Sequence, residues 1–541
     1  MRQKHSPLFA ALTMSGDGTT HKNIQFSSRH VTTVPADPTC HPNNSFVGVH
    51  PELNHTTATQ LEGWKDLLNH FCAEYNKHPD AKCTVDPVTV WQKLRGYLGD
   101  HAADQKKLSG QLEAYRRECD REVRGEEAFF PDDPEDEAER DQLLDEKAKE
   151  MVEKAGGKER WISLPCVERL AQEKEVIRQV QIELGERAYQ QLSPEEKEEV
   201  DFYVFTGCCM HKDLNATKGG AERMARSWEE KKVTPPIALM SKAQETAAEA
   251  GLAPKKGNCG RQPERGAVKL TNLLGALLKN KNPKKGHQDR FRAFCRKTLG
   301  TEILFPDTSN NRYQSHGYAA TEVVHHRWLY IDFLRNVQDQ KATAGGLNHM
   351  EQNALAGLTD DATFTELQVF SLYSQAISLP FSELVRAPCH QSRNGLDLGP
   401  DLDHLLKHHK AIIDNPNILI GPNVSWNTAT LDGKLWHHPD AVQAILHHQN
   451  QYHHLRAALI AFFEGALETW KIFTRDILNN PKLTKATPEQ RYLAFRRPAN
   501  DLNEGSFGLL RKMFRSFPRL TFGQLNARLT CRQVLCGQGI M

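Results

Sequence analysis

Short apolar runs predict strands at the start of the chain, before the spacing becomes helical. Runs at residues 9–14, 22–34 and 45–50 predict three strands, the first two joined as a hairpin by a glycine-containing turn at 15–21. Apolar residues then recur every three or four positions, at Leu61, Trp64, Leu67, Leu68 and Phe71. This spacing predicts a helix. The order of three strands and a helix indicates an α/β opening.

A buried strand is predicted again near residue 200. The apolar run at 200–205 is too short for a helix and has strand propensity, and Gly207 ends it. Cys208 and His211 follow as a Cys-x-x-His pair at the carboxyl end of this strand. Residues 215–220 are expected to open a polar loop or a new element.

Long helical patterns replace the strand signals after residue 220. They cover residues 268–279, 288–298, 318–338, 363–377, 401–413 and 438–478. Residues 127–160 are strongly acidic and are interpreted as an exposed insertion, and residues 251–266, rich in Gly, Pro and charge, as a linker. The second half is therefore expected to be mostly α.

The composition restricts the classes of function. The 541 residues carry a formal net charge of +1, so the global basic field typical of many nucleic-acid-binding domains is missing and any DNA surface must be local. No apolar run approaches the roughly 18 residues that span a membrane. The twelve cysteines lack the spacing of a disulfide framework, which favours reduced thiols in an intracellular protein.

Three acidic residues stand in distinctive local sequences: Asp17 in SGDGTTHKN, Asp100 in LGDHAADQKK and Glu504 in NDLNEGSFG. Each has a local explanation, since Asp17 fits a turn, Asp100 a helix N-cap, and Glu504 a capping box with Asp501. If the three carboxylates lie close together in the fold, they could act jointly as metal ligands. Mg²⁺ takes oxygen ligands, and a pair of metal ions needs carboxylates from several elements.

The Cys-x-x-His pair has two other interpretations. It could be half of a zinc site, with Cys531 and Cys536 as a weak partner pair. Cys208 or Cys209 could also be a nucleophile activated by His211. Neither interpretation has a supporting motif, and the histidines of the helical half are interpreted as surface or packing residues.

The order of these blocks resembles that of cut-and-paste DDE transposases, in particular the hAT type and the related Kyakuja-Dileera-Zisupton group of fungi. The resemblance makes Asp17 the first catalytic carboxylate, at the end of the first strand. Asp100 opens a D-N-A-like motif after the fourth strand, although His101 replaces the usual amide. Glu504 follows a large helical insertion as the catalytic Glu.

Two further blocks carry the resemblance. Cys208 and His211, followed by Leu214-Asn215, match a C-x-x-H block. Residues 312–315, with Arg312 and Ser315 at their ends, match an Arg-Trp-x-Ser element in which Tyr replaces Trp. The resemblance implies that the Cys-x-x-His pair is a buried structural clasp rather than a metal site.

The resemblance implies an α/β ribonuclease-H-like core interrupted by a large all-α insertion, in a helix-rich protein. The predicted divisions are core in 1–126, the acidic exposed insertion in 127–160, core with the Cys-x-x-His strand in 161–220, the helical insertion domain in 221–495, and a last core helix with a C-terminal tail in 496–541. The tail is expected to have no packing role. Such transposases also carry an N-terminal zinc-finger module, so the chain is expected to be a truncated copy.

The implied chemistry is metal-dependent DNA cleavage and strand transfer by Asp17, Asp100 and Glu504, which would hold two Mg²⁺ or Mn²⁺ ions. Asp104, Asp201 and Asp213 are substitutes for the second carboxylate. The expected partner is DNA, either transposon ends or non-specific duplex, with basic stretches at 279–285 and 511–519 as candidate contacts. A nuclear location and self-association are also expected, and no membrane partner. The alternative is a domesticated or truncated inactive relic that serves as a DNA- or protein-binding scaffold.

Overall fold

The computed structural model describes residues 9–21, 23–52, 54, 56–130, 133–242, 245–246, 265–280, 286–308, 313–341, 346–386 and 393–537. The protein is helix-rich, as predicted, with a small mixed five-stranded sheet. It divides into two compact units. Unit 1 comprises Met1–Cys208, Ser392–Leu398 and Asp476–Met541, and unit 2 comprises Cys209–Gln391 and Gly399–Arg475. No described helix is long and apolar enough to cross a membrane.

The sheet of unit 1 has the strand order β3-β2-β1-β4-β5. The strands are β1 (Ala11–His21), β2 (Ile24–Val34), β3 (Asn43–Glu52), β4 (Leu94–Gly99) and β5 (Val204–Gly207). β1, β2 and β3 are consecutive antiparallel neighbours, whereas β4 is parallel to β1 and β5 is parallel to β4. The carboxyl ends of β1, β4 and β5 therefore point the same way.

The first hairpin differs from the prediction at Asp17. β1 does not end at the glycine-containing segment but continues to His21, and Asp17 pairs with Ser28 inside the antiparallel ladder. The chain reverses at Asn23, whose φ of 63° is the left-handed conformation that Asn tolerates well. Because β2 offers a complete ladder of partners, the strand extends beyond its apolar run. Asp17 is a strand residue and not a turn aspartate.

Among the described residues, seven helices lie between β3 and β5 in the chain. In chain order they are α1 (Thr57–Lys77), α2 (Pro87–Gln92), α3 (Ala103–Ala128), α4 (Pro134–Lys154), α5 (Lys158–Ser163), α6 (Cys166–Gln190) and α7 (Pro194–Val200). Leu12 and Met14 of β1 pack with Trp64 of α1 and Leu112 of α3 in the largest apolar cluster of this unit. The acidic segment is helical, and Leu143 anchors it against Val180 and Leu184 of α6.

Unit 2 begins earlier than the sequence pattern predicts. Its first helix is α8 (Cys209–Glu230), so residues 215–220 are helical and the loop interpretation is wrong. Gly219 and Gly220 suggest a loop but serve close packing, because a Cβ on Gly219 would lie 2.0 Å from Thr469 Oγ1 and one on Gly220 would lie 2.7 Å from the Phe462 ring. The strand before α8 is also shorter than predicted, since Val200 still belongs to α7.

The rest of unit 2 is helical in the described residues. It contains α9 (Gly266–Leu278), α10 (Gln288–Leu299), α11 (Ser315–Gln340), α12 (His349–Thr359), α13 (Asp361–Tyr373), α14 (Leu379–Arg386), α15 (Gly399–Asp414), α16 (Asn417–Ile420), α17 (Trp426–Ala429), α18 (Pro439–His448) and α19 (Leu455–Phe473). A π-helical turn at Ser374–Ser378 separates α13 from α14. Residues 251–264 of the predicted linker lie outside the described residues.

After a short return at Ser392–Leu398, the chain re-enters unit 1 for its last segment at residue 476 rather than at 496. The returning helices are α20 (Arg475–Leu478), α21 (Pro481–Lys485), α22 (Pro488–Leu493), α23 (Asp501–Ser516) and α24 (Phe522–Gly537). The early return has an apolar cause, because Leu483 of α21 packs with Phe202 and Val204 of unit 1.

The C-terminal tail has a packing role, contrary to the prediction. Leu525 and Leu529 of α24 are completely buried, and they share an apolar cluster with Phe26 and Phe46 of the sheet. Asn526 Oδ1 also accepts a hydrogen bond from the Val49 backbone N–H at 3.0 Å. α24 is therefore part of the fold of unit 1.

Candidate active site

Asp17 and Asp100 line one cavity of about 140 Å³ in unit 1. β1 and β4 are adjacent and parallel, and the last paired positions are Ser15 and Leu98. Asp17 and Asp100 each lie two residues beyond these positions, so the strand register brings together two side chains that are distant in sequence. Glu52 and Asp104 add carboxylates to the lining.

Local hydrogen bonds orient both predicted aspartates. Asp17 is 9% exposed, and its Oδ1 accepts from the Gly18 backbone N–H at 2.8 Å. Asp100 Oδ1 accepts from the Ala102 backbone N–H at 2.9 Å. Ala102 is the N-cap of α3, so Asp100 lies two residues ahead of the cap instead of occupying it.

Tyr97 lines the same cavity as the two aspartates. Its hydroxyl donates to Gln105 Oε1 at 2.8 Å, and complete burial raises the pKa of this phenol well above its usual value. Both Asp17 and Asp100 raise that pKa further by their negative charge. A Cβ on Gly16 would lie 2.4 Å from the phenol oxygen, which explains why glycine precedes the first aspartate.

A buried cation accompanies the carboxylates. Arg29 is 3% exposed, its Nη2 lies 3.6 Å from Glu52 Oε1, and its guanidinium stands 5.2 Å from the centre of the Trp64 ring. Burial lowers the pKa of Arg29, whereas Glu52 raises it. Arg29 thus supplies positive charge next to a cavity that is otherwise rich in acidic groups.

α23 brings Glu504 to the same strand as Asp17. Asn500 Nδ2 donates to the Gly16 carbonyl at 3.2 Å, and Arg511 Nη2 donates to Thr19 Oγ1 at 2.5 Å. Glu504 is four residues after Asn500 and seven before Arg511, so all three lie on one face of the helix. Their partners on β1 bracket Asp17, whereas half-buried Glu504 is not among the residues that line the cavity.

The capping-box interpretation of Glu504 is wrong. The helix begins at Asp501, its N-cap is Asn500, and that cap makes no side-chain hydrogen bond to the helix backbone. Asp501 and Glu504 both lie in the first helical turn, where negative charge is favoured by the helix dipole.

The donor chemistry fits a hard divalent cation, because the cavity offers carboxylate oxygens. In the described part of the chain, however, no three His, Cys, Asp or Glu side chains are grouped so that they could hold a metal ion. Asp17 and Asp100 share the cavity, and Glu504 is positioned through its helix.

The sequence matches no protein-family model and no curated protein.

Cys208 contacts the elements that carry the second and third carboxylates. It is completely buried, and its backbone N–H donates to the Gly99 carbonyl at 2.9 Å, next to Asp100. The Asn500 backbone N–H lies 3.3 Å from Cys208 Sγ, one helical turn before Glu504. Cys208 therefore helps to position the site, and the Cys-x-x-His block is the sequence signal that singles it out.

His211 belongs to unit 2 and contacts another predicted block. The Tyr313 hydroxyl lies 3.0 Å from His211 Nδ1, and the two rings meet edge to face at 5.1 Å. Two of the resemblance blocks are thus in contact through the Tyr that replaces Trp. Ser315 is buried at the start of α11, whereas Arg312 lies outside the described residues.

The substitutes for the second carboxylate are separated by the structure. Of these three substitutes, only Asp104 lines the cavity that contains Asp17. Asp201 accepts from the Tyr189 hydroxyl at 2.6 Å, away from that lining, and Asp213 is buried in unit 2. Of the weak zinc partners, Cys531 is exposed and the side chain of Cys536 lies outside the described residues.

Proposed function

We propose that unit 1 is a ribonuclease-H-like core and that the protein acts on DNA by metal-dependent phosphoryl transfer of the DDE type. Asp17, Asp100 and Glu504 are the proposed carboxylates. The observation that carries the proposal is the shared cavity of Asp17 and Asp100, because the predicted first and second carboxylates meet there through strand register.

The position of α23 adds support. After the last segment of unit 2, the helix that carries Glu504 packs against β1 next to Asp17, where Asn500 Nδ2 donates to the Gly16 carbonyl. In the proposal Glu504 reaches the cavity by rotation of its own side chain, while the hydrogen bonds of Asn500 and Arg511 keep the helix in place.

Asp17 and Asp100 would hold the metal ions, and Glu504 would complete their ligands. Bound Mg²⁺ or Mn²⁺ supplies activation of a water or 3′-hydroxyl and stabilisation of the leaving oxygen. Tyr97 stays protonated because of its raised pKa, so it adds no competing negative charge between the two aspartates. Arg29 offsets Glu52, which limits the charge repulsion in the cavity.

The test is nicking of a supercoiled plasmid in Mn²⁺ by the full chain, its Asp17→Asn variant and its Glu504→Gln variant. We expect nicking by the wild type and loss of nicking in both variants with unchanged circular dichroism. Asp145→Asn with Glu146→Gln, two exposed positions of α4, is the matched control and should nick like the wild type. Equal nicking by the wild type and Asp17→Asn would end the catalytic proposal. DNA binding without nicking would instead support the inactive scaffold.

A further inference from the structure

Basic residues without acidic neighbours in sequence occupy the last two helices of unit 1. The chain as a whole is nearly balanced, with 69 Lys and Arg against 68 Asp and Glu. After Glu504 no acidic residue follows, whereas six basic residues do: Arg511, Lys512, Arg515, Arg519, Arg528 and Arg532. This segment is therefore a strongly basic part of a chain whose formal net charge is close to zero.

Five of these residues form a surface that we name the C-terminal basic surface: Lys512, Arg515, Arg519, Arg528 and Arg532. All five are exposed, and no ion pair joins any of them to a carboxylate in the described ranges. Arg121, elsewhere in unit 1, differs, since it binds Asp120 and Glu186 at 2.6 and 2.8 Å. A charged face that is merely solvated usually pairs its cations with neighbouring carboxylates, as Arg121 does.

Contacts connect the basic surface to the candidate active site. The Arg528 guanidinium of α24 lies 5.1 Å from the centre of the Phe517 ring, which directly follows α23, so Arg528 lies next to the end of that helix. Arg511, one residue before Lys512, donates to Thr19 Oγ1. Thr19 shares a strand face with Asp17, because side chains two residues apart point the same way.

We infer that the C-terminal basic surface binds the sugar-phosphate backbone of duplex DNA and directs the duplex toward Asp17. The inference rests on the proposed function and adds the surface on which the substrate lies. Duplex DNA is the occupant that fits, because it presents one negative charge about every 1.7 Å and needs no matching side-chain pattern. Exposed Lys and Arg side chains are the groups that contact phosphates without reading sequence.

The experiment measures binding of a fluorescein-labelled 30-base-pair duplex by anisotropy, in EDTA, at several NaCl concentrations. The test variant is Lys512→Gln/Arg515→Gln/Arg528→Gln/Arg532→Gln. We expect at least about a ten-fold loss of affinity, and a decrease of about 3 to 4 in the slope of log K against log salt, since each phosphate contact contributes about 0.9. The same positions changed to Lys, with Lys512 kept, should restore both values.

The matched control removes the same charge elsewhere in unit 1, through Lys82→Gln/Lys149→Gln/Lys158→Gln/Lys174→Gln, all at exposed positions. Equal losses in test and control variants would overturn the inference, as would unchanged binding in the test variant. Binding of the wild type to polyglutamate or to anionic vesicles but not to duplex would overturn it too. Because EDTA prevents metal-dependent nicking, failure of the catalytic proposal alone leaves this result intact.

Discussion

Asn503 of α23 donates a hydrogen bond from Nδ2 to Ser15 Oγ of β1 at 3.2 Å. Its Oδ1 lies 2.8 Å from His30 Nδ1 of β2. Burial lowers the pKa of His30 to about 4, so the ring is neutral near pH 7 and its Nδ1–H can donate to Asn503. One amide thus joins the helix of Glu504 to the strand of Asp17 and to β2.

Asn503→Ala should lower the free energy of unfolding by about 1 to 3 kcal/mol, because buried His30 and half-buried Ser15 lose their partner. Urea unfolding measures this change in free energy. A double-mutant cycle of Asn503→Ala with Ser15→Ala should give a coupling energy of about 0.5 kcal/mol or more. Asn336→Ala, at an exposed helical position, should change stability by less than about 0.5 kcal/mol. If the losses of unfolding free energy in the Ser15 and Asn503 variants simply added in the double variant, the hydrogen bond between these residues would contribute nothing to stability.

The nicking rates of two variants can decide whether Asp100 or Asp104 is the second catalytic carboxylate. Both line the cavity, but only Asp100 continues the strand that is paired with β1. Asp100→Asn should therefore reduce Mn²⁺-dependent nicking by about 100-fold or more, as expected for loss of a metal ligand, whereas Asp104→Asn should retain most of it. Duplex binding in EDTA should be the same for both variants. The opposite order of nicking rates would reassign the second carboxylate to Asp104.

Two glycines set the close crossing of α3 and α6. A Cβ on Gly125 would lie 1.6 Å from the Gln181 carbonyl oxygen, and one on Gly185 would lie 1.7 Å from the Arg121 carbonyl oxygen. Gly125→Ala should therefore lower the free energy of unfolding by about 3 kcal/mol or more through backbone displacement. Gly110 of the same helix has nothing within 4 Å of its Cβ position, so Gly110→Ala should raise stability by up to about 1 kcal/mol. Equal effects in urea unfolding would argue against this crossing.

Local sequence patterns predict the helices and strands of this protein well where the spacing of apolar residues alone decides the structure. The apolar spacing of Trp64, Leu67 and Leu68 predicts α1, and all three side chains are buried. Asp17 shows the limit, because glycines on both sides are typical of a turn, whereas pairing with β2 keeps the segment extended. Gly219 and Gly220 mislead in a similar way, since their role depends on a helix more than two hundred residues later.

The candidate site could be predicted only as separate residues. Asp17, Asp100 and Glu504 stand out by their local sequence, but their relative position depends on strand register and on the return of the chain after unit 2. Asn503 and Cys208 position the site through contacts across hundreds of residues, and no local pattern marks such contacts. The sequence therefore does not predict these contacts, although the Cys-x-x-His block marks Cys208 itself.

Asp213 should make the stability of unit 2 depend on pH. Its carboxyl is buried and accepts from Ser378 Oγ at 2.7 Å. Burial is the main cause that raises its pKa to about 7, while the Ser378 hydrogen bond and Arg386 lower it. Between pH 4 and 7 the folded protein keeps a proton that the unfolded chain has lost. The contribution of Asp213 to stability is therefore fully present below about pH 4, and it is lost as the pH rises to 7.

Asp213→Asn removes this titration and keeps an oxygen that accepts from Ser378. Relative to the wild type, the variant should gain a few kcal/mol of unfolding free energy at pH 8, with about 4 kcal/mol as the upper bound, and little at pH 4.5. Urea unfolding at the two pH values measures the difference, with Asp403→Asn at an exposed position of α15 as the control. A gain of the same size at both pH values would show that the buried Asp213 carboxyl does not carry a raised pKa.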